Sequence, residues 1–198
     1  ANPPAVGIDF FRGPIATPGD SLDNDHNCQI DEACEQAIMT HFAYFTNGAS
    51  GGHGDPHIAK EYYNYLSGSW ADGNPVFYGG LCYPPSSTTL RAAYCFPGLS
   101  DQQYQWGVGG NCQDPGAAQS NWTEVTAAAT PEDRRFVESA GPFRLLPGAV
   151  NVVTTGVVWA RASSGGAQAS LNKLKFADTK AQALFDNCFD LIDGPDAP

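Results

Sequence analysis

Basic residues are scarce in this chain. Lys and Arg number 10 against 21 acids, for a net charge of −11. That deficit argues against binding nucleic-acid phosphates or anionic lipid surfaces. Charged residues of both signs make up only 16%, below the usual quarter. No apolar run approaches the ~18 residues of a membrane-spanning helix. There is one Met, and no C-x-x-C pair, which removes zinc-ribbon and thioredoxin readings. No G-x-S-x-G elbow and no phosphate-cradling Gly loop with a following Lys occurs. Asp and Glu form no pair recognisable as a glycosidase couple. The expectation is a protein that is not an enzyme.

What is present is apolar material and turns. Hydrophobic residues make up 42% and aromatics 12% of the 198 residues, so the chain can bury a core. Gly and Pro, 22 and 15 residues, favour short strands joined by long loops over long helices. The fold expected is mainly β, a β-sandwich-like core with two or so decorating helices and long Gly/Pro-rich loops. Residues 1–19, with four prolines, read as an extended N-terminal arm that a neighbouring subunit could accept. Residues 20–198 read as a single β-rich domain. Met39 to Phe45 is rich in aromatics and reads as a strand. Asp55-Pro56 reads as an N-cap and first residue of a helix that Gly68 ends. Arg135–Ser139 and Phe143–Leu146 flank a turn at 140–142. Val150 to Ala160 is apolar on both faces and reads as a central strand buried on both sides. Gln168 to Phe189 has an apolar stripe near the 3.6 period and reads as a helix covering a sheet.

Six cysteines, Cys28, Cys34, Cys82, Cys95, Cys112 and Cys188, are an even number. They point to an exported, disulfide-bonded protein. Six cysteines permit 15 pairings. Proximity in sequence suggests Cys28–Cys34, Cys82–Cys95 and Cys112–Cys188. The start at Ala1-Asn2-Pro3-Pro4 reads as a processed end or a cut from something longer. The end at Asp193-Gly194-Pro195-Asp196-Ala197-Pro198 reads as a linker.

Residues 20–35 form an acidic loop. Oxygen-bearing side chains alternate at Asp23, Asp25 and Asn27, and Ile30 follows at the eighth loop position. Alternation turns every second side chain inward, as a hard cation requires. A backbone carbonyl at Gln29 and later carboxylates at Asp31 and Glu32 would close the shell. Carboxylates in this number suit Ca²⁺; zinc would want His or Cys. Two departures stand out. Cys28 occupies the sixth position, where a sharp turn wants Gly. Cys34 occupies the twelfth, so Glu32 or Glu35 must supply the closing acid. A merely solvated acidic turn is the alternative. Beyond the loop, His53 and His57 flank Asp55, a weak transition-metal pattern. Eleven of the Tyr, Trp and Phe residues from 62 to 122, namely Tyr62, Tyr63, Tyr65, Trp70, Phe77, Tyr78, Tyr83, Tyr94, Tyr104, Trp106 and Trp122, are either core, an interface or a glycan platform. Asp20-Ser21-Leu22 has the Asp-Ser-hydrophobic form of an O-glycosylation site at Ser21.

The loop resembles the D-x-D-x-[DN]-G-x-x-D-E calcium loops of thrombospondin type 3 and related exported repeats. Further stretches extend a resemblance over roughly residues 20–198. They are Glu61-Tyr62-Tyr63-Asn64-Tyr65-Leu66-Ser67-Gly68, Asp72-Gly73-Asn74-Pro75-Val76-Phe77-Tyr78-Gly79-Gly80, and Asp133-Arg134-Arg135-Phe136-Val137-Glu138-Ser139-Ala140-Gly141-Pro142-Phe143. Leu146-Pro147-Gly148-Ala149-Val150, Gly156-Val157-Val158-Trp159-Ala160-Arg161 and Lys180-Ala181-Gln182-Ala183-Leu184-Phe185-Asp186-Asn187-Cys188-Phe189 complete the set. Together they resemble a segment of large exported Bacteroidota surface proteins, which often carry type IX secretion sorting domains. The resemblance implies export to the cell surface or medium and calcium at the acidic loop, and it carries no catalytic residues. The expected function is an extracellular structural protein, calcium- and disulfide-stabilised, that self-associates into a filament, tube or layer. The alternative is a glycan-binding or accessory module of a larger secreted hydrolase, with polysaccharide as partner.

Overall fold

A computed structural model describes residues 2–49, 51–84, 88–101, 103–116 and 118–189. The chain is mainly β with few helices, as the composition implies. It divides into two compact units, one of Ala1–Gly13 with Val150–Pro198 and one of Pro14–Ala149. The elements are β1 (Ala5–Arg12), β2 (Met39–Thr46), α1 (Ala59–Leu66), β3 (Arg134–Ala140), β4 (Thr154–Ala160) and α2 (Gly166–Asp186), with a 3-10 turn at Trp106–Val108. Each unit holds one antiparallel two-stranded sheet, β1 with β4 and β2 with β3. Among the described residues, neither unit shows the sandwich of facing sheets expected from the sequence.

The terminal unit is built on small residues. Gly7 pairs with Val158, and Ala5 with Ala160, on the face that α2 covers. Leu174 from α2 presses onto that face, and a Cβ at Gly7 would lie 3.3 Å from its Cδ2. Val158, Ala160 and Leu174 are the buried core. Gly156 is more tightly constrained, because a Cβ there would meet the Phe11 ring at 2.1 Å. The start of α2 is satisfied across the sequence by Asn2. Its Oδ1 accepts from Gly166 N at 3.0 Å, and its Nδ2 donates to Ser163 O at 2.7 Å. That meets one of the donors a helix start leaves unpaired.

Two expectations fail here. Residues 5–12 are not a free arm, since β1 pairs along its length with β4 of the same chain. Nor is β4 buried on both sides: Gly156, Val158 and Ala160 are buried, while Val157 and Trp159 are 72% and 61% exposed. Its run of apolar residues on both faces reads as double burial, but only one face has a helix against it. Residues 150–153 stay outside the strand.

The larger unit, 14–149, is loop-rich around an aromatic core. Trp70 and Tyr65 are fully buried, with Tyr44, Phe45, Val76, Cys82, Cys95 and Trp122. Trp70 meets Tyr44, Tyr65 and Tyr83 edge-on, and its indole N–H donates to Cys82 O at 3.1 Å. Edge-to-face contacts and a satisfied indole are what make a Trp stable in an interior. The helix α1 is shorter than expected. Asp55 does not cap it; the Asp55 carboxylate accepts from Gly48 N and from Arg135 Nη1. Glu61 closes the helix start instead, accepting from His57 N at 2.6 Å and Ile58 N at 3.3 Å.

Candidate metal centre

The acidic loop is wound tightly. Ser21, His26, Cys28, Asp31 and Cys34 all have positive φ, and Cys28 sits at +73°. The sixth loop position therefore adopts the left-handed turn that a Gly would make without strain. A covalent bond holds it. Cys28 is disulfide-bonded to Cys112, 84 residues away. Beside the bond, the His26 ring stacks on Trp106 with centroids 3.7 Å apart and planes 4° from parallel. These two contacts clamp the loop to the 106–112 segment.

The expected pairings Cys28–Cys34 and Cys112–Cys188 are thereby overturned, since Cys28 and Cys112 bond each other and Cys34 and Cys188 carry free thiols. Nearness in sequence misleads because the loop folds back on a distant segment. Cys82 and Cys95 are thiols buried side by side in the aromatic core.

Backbone amides wrap the acidic side chains. Asp23 Oδ1 accepts from Asn27 N at 3.0 Å and its Oδ2 from Cys28 N at 2.9 Å. Asp25 Oδ1 accepts from Asn27 N at 3.1 Å, and Asn27 Oδ1 from Gln29 N at 2.8 Å. Such side-chain turns aim the carboxylates toward one point. Glu35 arrives from the loop exit. An antiparallel bridge of Ile15 with Gln36 fixes that exit, with Ala16 N donating to Glu35 O and Ala37 N to Pro14 O. Glu35 is buried, and its carboxylate accepts from Asn24 N.

One carboxylate oxygen each from Asp23, Asp25 and Glu35 lies within 4.8 Å of the others. Of the six ligands expected from sequence, the loop brings Asp23 and Asp25 together. Asn27 lies beside them, with its Nδ2 donating to Asp25 Oδ2 and to Glu32 Oε1. Asp31 turns away, accepting from Ser21 N at 3.2 Å. Glu32 Oε2 is a buried oxygen with no hydrogen-bond partner among the described residues. For Gln29, its N–H is bound within the loop. Sequence reasoning kept Glu35 as a substitute for the missing twelfth-position acid, and that acid is the one delivered. Ser21 is exposed, with its amide on Asp31.

Converging carboxylates repel. Burial pushes the Asp25 carboxyl above the ordinary range, and the neighbouring Glu32 and Asp23 charges push it further. Burial also lowers His26, against the pull of Asp23. The donor set is hard oxygen, which fits a Ca²⁺-like cation and gives zinc or copper little to prefer. The other clusters do not make a metal site. His53 packs on Tyr83 and Trp70, and among the described residues no group of converging ligands includes a His. The aromatics are divided: Tyr65, Trp70 and Trp122 are core, while Tyr62 and Tyr63 on α1 are 54% and 70% exposed.

No protein-family model matches the chain, and comparison with curated proteins and with solved structures returned no match.

Proposed function

We propose that this is an extracellular structural protein whose larger unit is stiffened by calcium and a disulfide and whose terminal unit mediates self-association. The observation that carries the reading is the outer face of the β1–β4 sheet. Val6 pairs with Trp159 and Ile8 with Val157 across it, and their exposures run from 40% to 72%. A cross-strand apolar quartet left in water marks an interaction surface. Strands β1 and β4 each pair with only one other strand among the described residues, so further copies can add at an edge of this sheet as well as on its face. Calcium at Asp23, Asp25 and Glu35 would neutralise a carboxylate cluster that is otherwise repulsive. The Cys28–Cys112 bond fits an oxidising, exported setting.

The test is electron microscopy of unreduced protein with Ca²⁺ and then with a chelator. Regular polymers that loosen on chelation support both halves. Monodisperse single particles under both conditions contradict the structural role.

A second reading has one observation in its favour. The larger unit has an open cavity of about 390 Å³ lined by His41, Ser67, Ser69, Arg91 and Trp106 among others. Polar groups beside a Trp suit a sugar residue, as in a glycan-binding module. Trp70 plays no part in it, being fully buried. Binding to polysaccharide that Trp106→Ala abolishes would favour this reading.

A further inference from the structure

Cys82 and Cys95 are 0% and 2% exposed and belong to one packed cluster with Tyr44, Trp70 and Trp122. The Cys82 thiol is within hydrogen-bonding reach of Cys95. Both backbones are pinned: Cys82 O accepts from the Trp70 indole at 3.1 Å and from Phe77 N at 3.2 Å, and Cys95 N donates to Phe42 O at 2.9 Å. Two thiols this close, on anchored backbone and shielded from solvent, require little movement to bond.

We propose that Cys82 and Cys95 are a second disulfide site, oxidised while the chain folds and sealed by the core that closes over it. The two thiols lose two protons and two electrons and form one S–S bond. A disulfide oxidant, protein-borne or small, takes the electrons and leaves as two thiols. The order of events follows from burial. Desolvation pushes the Cys82 thiol far above its ordinary range, so the folded core disfavours the thiolate that exchange requires. Oxidation therefore precedes core closure, and afterwards the bond is sheltered from reductant. Cys28–Cys112 behaves oppositely, because Cys28 is exposed and open to attack.

The site draws on the export reading only for its natural oxidant, so the test supplies the oxidant directly. The full chain, reduced and denatured, is refolded in a glutathione/glutathione-disulfide buffer, alkylated, and mapped as peptides without reduction. The expected result is a cross-linked peptide pair joining Cys82 to Cys95, beside Cys28–Cys112, with Cys34 and Cys188 alkylated. Mild reductant on the folded protein should open Cys28–Cys112 at least tenfold faster than Cys82–Cys95. Alkylation of both Cys82 and Cys95 after refolding, or linkage of either to another cysteine, overturns the proposal. So does equal reduction of the two bonds. A Cys82→Ala/Cys95→Ala variant guards against misreading a folding failure. If it folds, its urea midpoint should fall further below wild type when both are oxidised than when both are fully reduced, the reduced gap being the packing lost with two buried sulfurs.

Discussion

The two units solve the same stability problem by opposite means. The terminal unit, Ala1–Gly13 with Val150–Pro198, relies on a helix laid over small strand residues and has a core of Val158, Ala160 and Leu174. The 14–149 unit has little regular structure and compensates with aromatic packing and a long-range disulfide. Regular secondary structure satisfies its own backbone and needs few cross-links. Loops need side chains, bonds or ions to do the same work. The small-core unit leaves the outer apolar face of its sheet, Val6, Ile8, Val157 and Trp159, uncovered.

Breaking the disulfide should give the largest effect, and only in the loop-rich unit. Cys28→Ser releases an 84-residue closure and should cost about 4 kcal/mol on the chain-entropy account. Urea unfolding followed by Trp fluorescence measures it, since Trp106 lies beside the bond. An unchanged midpoint would mean the stack and packing hold the loop alone. In the terminal unit the matching change is Leu174→Ala. It removes the side chain seated over Gly7 and should cost about 3 kcal/mol. The loss should appear as faster amide exchange in β1 and β4, with β2 and β3 unchanged.

Calcium should stabilise the larger unit by about 2.7 kcal/mol at a hundredfold excess over its dissociation constant. Thermal unfolding with calcium and with chelator checks this. Asp23→Asn with Glu35→Gln should erase the difference, whereas Asp31→Asn should preserve it, because Asp31 faces Ser21 instead. The smallest effect is a pH dependence. His41 is held below its ordinary value of 6.5 by burial, and its Nδ1 is buried without a partner among the described residues. A depressed folded value means the contribution is complete above about pH 6.5 and is lost as pH falls through the folded value. His41→Gln should flatten that acid limb in a series of urea midpoints.

The elements easiest to read from sequence were those whose pattern is local. Strand β2 follows from its aromatic run, and α2 from its stripe of Leu171, Leu174, Ala181 and Leu184. The exposed face of β4 was not legible, because alternation reports which faces are apolar and not whether anything covers them. The start of α1 was misassigned to Asp55 because a cap and a salt-bridging carboxylate look alike in sequence; Arg135, the ion-pair partner, is 80 residues away. The acidic loop was legible in its first half, where Asp23 and Asp25 sit at alternate positions. Its second half depended on the Ile15–Gln36 bridge, which delivers Glu35 and has no sequence signature. The disulfide was the least legible feature, since Cys28 and Cys112 lie 84 residues apart and come together where His26 stacks on Trp106.

The most direct test of this division of labour is sedimentation velocity of unreduced protein in calcium, comparing wild type with Trp159→Lys. Trp159 is exposed, so a lysine there should change stability by no more than about 0.5 kcal/mol. The account predicts concentration-dependent assemblies for wild type and a monomer for the variant, with both retaining calcium stabilisation. A wild type that stays monomeric at every concentration, or a variant that assembles as well as wild type, would contradict it.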